Sequence, residues 1–276
     1  MGNVGAAVTK FAAPFLLVAT GWKTVALVWA AALLVMAAVF WFSTEDDPVL
    51  KARAVGEVPP TRPFLKEFEP LRDVRVWRFA LYYFFVFGAF VALALWLPCY
   101  LVGVYGFDLK VAGMVGAAYS IPASVVRAWG GALSDRIGAR RVLWWTFVVS
   151  APCALVLSAP SSGLTADGTA QAALSTPVFI AVIFTLGFFM ALGKAAVFKH
   201  VPTYYPDSVG AVGGLVGMIG GLGGFVLPVA FGALKDATGL WSSCFMLLFV
   251  LVCACFAWMT LAVRRLDAAP AALPAE

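Results

Sequence analysis

Charge is scarce in this chain. Of 276 residues only 12% are charged, with one histidine and a single asparagine, Asn3. Soluble domains carry roughly a quarter charged residues, so a soluble globular fold and a disordered chain are both excluded. Cysteine is also sparse. Cys99, Cys153, Cys244, Cys253 and Cys255 are too scattered for a disulfide scaffold, and none stands at metal-ligand spacing. Acids are missing where the chain is most apolar: every Asp and Glu falls in a loop, a tail or a helix end. His200 has no ligand cluster around it in sequence. An enzyme, a metal, a cofactor and a nucleic-acid partner are therefore not expected.

What is abundant is apolar surface. Hydrophobic residues make up 63% of the chain, and mean hydropathy is +0.95. A membrane-crossing helix needs about 20 apolar residues, and the runs here are long and continuous rather than alternating, which excludes barrel strands. Eight segments are predicted, at about 4–21, 24–43, 77–103, 109–131, 141–159, 174–200, 209–234 and 240–263. The expected class is an all-α integral membrane protein. The first segment is the most polar, yet it has no basic n-region to make it a signal peptide. Between segments two and three, 44–76 is rich in proline and in both charges and reads as a solvent-exposed linker. The loop 160–173 is small, polar and free of bases, and reads as a plain connection.

Basic residues set the orientation. With 44–76 cytoplasmic, 13 of the 19 Lys and Arg residues lie on that side, 3 (Lys23, Lys110, Lys235) lie opposite, and Lys10, Arg127 and Lys194 fall inside spans. The C-terminal tail, 266–276, is then cytoplasmic. A cation within the hydrocarbon is costly and marks a functional site by default. At about 1.5 Å rise per residue, Arg127 and Lys194 sit roughly 12 Å inside the cytoplasmic boundary and Lys10 at a similar level. Three cations at one depth without an acid imply an anionic partner. Arg127 suits a planar oxyanion best, because a guanidinium fork binds it bidentately. Lysine also snorkels, so Lys194 reads equally as a structural residue reaching the interface.

Three further patterns stand out. Glycines fall at 210, 213, 214, 217, 220, 221, 223 and 224. Gly213, Gly217 and Gly221 make small-xxx-small steps on one face, and Gly210 with Gly214 and Gly220 with Gly224 make parallel ones, permitting close backbone approach. The aromatic run Tyr82–Phe90 places Tyr83 and Phe87 four apart on one face. The stretch GGALSDRIGARR at 130–141 sets Gly130 and Gly131 at a helix end, before Asp135, Arg136 and Arg140. Asp135 is expected to accept from arginines or from a neighbouring helix N-terminus, latching one conformation.

GGALSDRIGARR resembles the G-x-x-x-D-R-x-G-R-R loop of the major facilitator superfamily. The glycine run resembles the second nitrate signature of that superfamily's nitrate/nitrite porter branch, GNVGAAVTKFAAP at 2–14 resembles the end of the first, and MALGKAAVFKHVPTYYPD at 190–207 resembles helix 10. The resemblance covers nearly the whole chain. It implies the major facilitator fold in part, with the spans as helices 5 to 12. Residues 1–43 would hold the last two helices of the N-terminal bundle, 44–76 the central loop and 77–265 the six-helix C-terminal bundle, in a truncated chain.

The resemblance also implies roles. The substrate-gripping arginine of helix 8 falls on Arg127, the helix 7 tyrosine and phenylalanine on Tyr83 and Phe87, and the helix 5 signature asparagine on Asn3. Gly193-Lys194-Ala195 stands where many relatives have Gly-Asn-Gly, and Lys10 where several have an uncharged residue. Both departures add cations near the anion path. The implied activity is passage of nitrate and nitrite across the plasma (inner) membrane by alternating access, with exchange favoured over proton symport because no span carries a carboxylate. A transporter of another small anion remains open. So does a non-transporting fragment that assembles with the missing N-terminal helices on another chain.

Overall fold

The computed structural model describes residues 2–45, 69–164 and 170–267. Eight helices are laid out among them: α1 Gly2–Thr20, α2 Trp22–Ser43, α3 Val74–Tyr105, α4 Leu109–Ile137, α5 Ala139–Leu157, α6 Thr176–Tyr204, α7 Val209–Thr238 and α8 Ser243–Asp267. Seven of these are long and apolar enough to cross a membrane. Among the described residues α1 contributes the shorter apolar stretch Val8–Thr20. The chain divides into two compact units, Ala12–Glu69 and a larger one formed by Met1–Phe11 with Pro70–Glu276.

In the smaller unit, α2 shows no buried residue. An apolar helix with that much bare surface is suited to lipid or to a helical neighbour. The central linker mostly lies outside the described residues, and with it Lys51, Arg53, Arg62 and Lys66.

The larger unit is a helical bundle with α6 at its centre. Five consecutive residues of α6, Met190 to Lys194, are buried. Helix α6 packs most extensively on α5 and α4, and α7 packs on the middle of α3. Small residues make these approaches possible. A Cβ at Gly130 would meet the Leu192 Cα at 3.2 Å, and one at Gly187 would overlap the Tyr119 ring.

Several helix ends have a local cause. Asp73 caps α3, accepting from the Arg75 amide at 2.9 Å, and also accepts from the Tyr205 hydroxyl just beyond α6. Asp108 caps α4 through the Lys110 amide at 2.9 Å. Gly138, at φ +89°, ends α4 and opens α5; that backbone region is strained for any residue with a Cβ. The loop 160–173 is not plain. Gly163–Leu164 and Ala170–Gln171 form a short antiparallel bridge within it.

The largest departure from the expected helices lies inside α3. Residues Phe84–Ala89 form a π-helical turn between two α-helical stretches. Such wide turns occur mostly as single insertions in helices and often at functional sites.

Candidate functional site

The π turn faces the glycine helix. A Cβ at Gly88 would come within 2.7 Å of the Gly220 carbonyl oxygen and 2.8 Å of the Gly223 Cα. Real Cβ atoms do not come that close, so backbone meets backbone here. A Cβ at Gly220 would overlap the Tyr83 ring, and one at Gly224 would press Val91 at 3.0 Å. Gly213 and Gly217 make ordinary contact with Phe198, at 3.7 and 3.9 Å. Gly210, Gly214 and Gly221 meet nothing within 4 Å, and neither does Gly131. Of the expected steps, Gly220–Gly224 makes the close face, while Gly213–Gly217–Gly221 does not. The close face runs through Gly220, Gly223 and Gly224, because the ridge opposite is the π turn.

Against this seam sit the aromatics. Tyr83 is buried and stacks on Phe87 at 5.0 Å and 9°. Phe198 of α6 meets the Tyr83 ring edge-on at 4.7 Å. Tyr83 and Phe87 therefore do share a face. The Arg127 side chain, exposed in this structure, comes up to the Tyr83 hydroxyl.

Three cations gather around these rings. Lys194 is 0% exposed, so it does not snorkel to the interface. Its ammonium stands 3.1 Å from the centre of the Phe90 ring and 5.6 Å from that of Phe87, and its Nζ has no hydrogen-bond partner. Arg127 and Lys10 both lie close enough to bear on its charge. Lys10 donates to the Ser120 hydroxyl at 3.0 Å, and that hydroxyl in turn donates to the Gly116 carbonyl at 3.0 Å. The depth argument can now be put on helix ends. Arg127 and Lys194 each stand ten residues from the ends of their helices, at Ile137 and Tyr204, and Lys10 stands ten residues from the end of α1 at Thr20, counted from the opposite face. That is about 15 Å at the α-helical rise. Acids are confined to helix ends and turns among the described residues, as with Asp73, Asp108, Asp135, Asp207 and Asp236.

Asn3 lies in α1, but its side chain is outside the described residues. Asp135 is expected to accept from arginines or from a neighbouring helix N-terminus. It pairs with Lys199 of α6, both side chains being roughly half exposed (57% and 44%). The pair forms where α4 and α6 run side by side, and Arg136 is exposed. Arg140 lines a crevice with Arg78 and Tyr204.

Four contributors were not singled out from sequence. Phe90 carries the Lys194 ammonium, and its place in the aromatic run, three residues after Phe87, is the signal that could have found it. Tyr119 stacks beneath Phe90 at 4.8 Å. Ser120 holds Lys10. Gly88 sits inside the aromatic run without standing out as glycine 220 or 224 does.

Two families of evidence now converge on a class. The helical architecture is that of a multi-pass membrane protein, and the family model of the Major Facilitator Superfamily matches residues 1–174 and 108–276. The chain belongs to this superfamily. Among its curated relatives, the probable nitrate/nitrite antiporter NarK1 of Thermus thermophilus is 44% identical over 283 residues, covering 96% of this chain and 62% of the relative. The nitrite extrusion protein of Bacillus subtilis is 30% identical, covering 94% of this chain and 61% of that relative. The probable nitrate/nitrite transporter NarK2 of Mycobacterium tuberculosis is 33% identical, covering 86% and 55%. The chain spans about three fifths of the length of these relatives.

Proposed function

We propose that the chain serves transport of nitrate and nitrite by exchange, with the anion held at mid-depth while two bundles rock in alternating access. The observation that carries this reading is the meeting of Lys10, Arg127 and Lys194 at one level, beside stacked rings and away from any acid.

Magnitudes favour an anion as the missing partner. Burying an ammonium costs several kcal/mol even after relaxation. A desolvated cation–π contact returns only about 2 kcal/mol. The rings therefore leave part of the cost of Lys194 unmet, and an oxyanion between Lys194 and Arg127 would offset it. In this reading the Arg127 fork grips two oxygens of a planar anion, the Tyr83 hydroxyl orients it, and Phe87 and Phe90 wall it in. The printed names of the relatives support nitrate and nitrite as the anions. The confinement of acids to helix ends supports exchange over proton symport. The relatives' additional length would supply the facing bundle, on this polypeptide or another, with the C-terminus on the cytoplasmic side of the inner membrane.

The test is nitrate uptake into nitrite-loaded proteoliposomes. The chain is reconstituted alone and with the N-terminal helices of the Thermus relative co-expressed. Arg127→Lys should lower uptake by about tenfold or more, since it keeps charge and loses bidentate geometry. Unchanged uptake would sink the role of Arg127. Chlorate or another anion outcompeting nitrate would move the substrate reading to a different anion.

A further inference from the structure

We propose that the arginine-rich end of the larger unit binds a phospholipid with an anionic headgroup, seated between the start of α3 and the end of α8. This proposal is independent of the transport reading. A cavity of about 310 Å³ opens there, walled by Arg75 and Arg78 of α3, Tyr204 of α6, and Trp258, Leu261 and Arg265 of α8. No acid lines it. That volume lies at the small end of ligand sites, enough for a headgroup and glycerol rather than a whole lipid.

Two of its arginines are held in place. The Arg75 guanidinium lies 5.7 Å over the Tyr204 ring, and that of Arg78 lies 5.4 Å over Phe79. Both side chains are half-buried. Stacked guanidinium forks lose less freedom on binding and match the paired oxygens of a phosphodiester. The third arginine, Arg265, closes the rim from α8. Below the rim the wall turns apolar at Leu261, with Trp258 at the level where indoles sit between headgroups and chains. Such a wall distinguishes a lipid from free phosphate, which would use the charges alone. A basic pocket between membrane helices is the expected form of a headgroup site.

The arrangement is repeated around the same helix end. A second cavity, of about 290 Å³, sets Arg140, Arg141 and Arg264 over Trp144 and Met259. Three arginines above an apolar wall thus occur on both sides of α8.

The experiment uses the purified full chain in neutral detergent micelles doped with phosphatidylglycerol or phosphatidylcholine. Retained lipid is read by native mass spectrometry, and Tm by thermal unfolding. Phosphatidylglycerol should be retained and should raise Tm, while phosphatidylcholine should do neither. Each arginine removed should weaken retention roughly fivefold, so Arg75→Gln with Arg265→Gln should cost about twenty-five-fold. Arg72→Gln, an exposed charge at the same end outside the cavity, should change nothing. Should the double variant not fold, Arg265→Gln alone, at an exposed helix end, carries the test with a roughly fivefold loss. Equal retention of the two lipids, or retention indifferent to Arg265, overturns the proposal. Glycerol 3-phosphate reproducing the Tm shift without lipid overturns it in favour of a free-phosphate site.

Discussion

Two ring clusters in the larger unit have nearly the same chemistry and different surroundings. At the end of α3 near the 106–108 turn, Tyr100 stacks on Phe179 at 5.0 Å and 4°, with Phe245 edge-on at 5.4 Å. At mid-depth, Phe90 stacks on Tyr119 at 4.8 Å and 18°, with Phe184 edge-on to Tyr119 at 6.0 Å. In the first cluster the neighbours of Tyr100 are further rings, Trp241 and Tyr105, and Lys235 rests over the far one, Trp241. In the second, a fully buried ammonium sits on one face of the stack, and the Tyr119 hydroxyl is buried without a partner. Aromatic stacking is the same force in both places. The first cluster thus carries a cation too, Lys235 in the last turn of α7, 4.3 Å from the centre of the Trp241 ring; in the second the cation is fully buried and its Nζ has no hydrogen-bond partner. A ring cluster by itself is packing; it becomes a candidate site where the polar accounting fails to close.

The comparison can be broken by substitution. Phe179→Ala should have the largest effect, destabilising the protein by about 3–5 kcal/mol through cavity formation, read as a lowered Tm in detergent. Lys194→Met should do the opposite to stability, leaving Tm unchanged or higher because it removes an uncompensated buried charge. Uptake in the reconstituted system should nonetheless fall by about tenfold or more. A Tm drop as large as that of Phe179→Ala would make Lys194 a packing residue. Phe90→Leu should cost about 1–2 kcal/mol, keeping volume while losing the ring beneath the cation; an equal loss in the Lys194→Met background would show that the ring does not act through the lysine.

The smallest effect belongs at the α3–α6 junction. Tyr205→Phe should cost about 1 kcal/mol by removing the hydrogen bond to Asp73. Burial, and then that bond to the Asp73 carboxylate, push the Tyr205 hydroxyl above its ordinary range. Its contribution is therefore present below the unfolded value of about 10 and is lost as pH rises through the higher folded value. The gap in Tm between the two proteins should be flat from about pH 6 to 9 and close only in stronger alkali.

Much of this was legible in the residues. Long apolar runs mark the helices, and basic residues in the turns mark the end that carries the arginine pockets. The level shared by Lys10, Arg127 and Lys194 follows from counting along helices. Other features depend on tertiary contacts that leave no local mark. Lysine snorkels or buries according to its neighbours, so the burial of Lys194 needed α3 and α4 in place. Ser120 lies 110 residues from Lys10 in sequence, and nothing near either predicts the other. Asp135 pairs with Lys199 on another helix, a partner that helix alignment and not local composition supplies. The glycine pattern announced close packing, but its seam is chosen by the helix opposite.

That helix carries the π turn, and a wide turn is one residue of surplus length inside an otherwise regular rod. Each residue in an α-helix turns the chain by about 100°. Deleting a single residue within Phe84–Ala89 would let α3 close into an uninterrupted α-helix that still spans its full hydrophobic length. Its two halves would keep their facing, because the wide turn already absorbs the extra residue. Tightening the turn into α-helix without a deletion would instead rotate everything before it by about 100° against everything after it. Tyr83 would then leave Phe87 and Gly220, while Phe90 would stay with Lys194. The surplus residue works as a clutch between the two halves of α3, setting the phase in which they meet without altering either half.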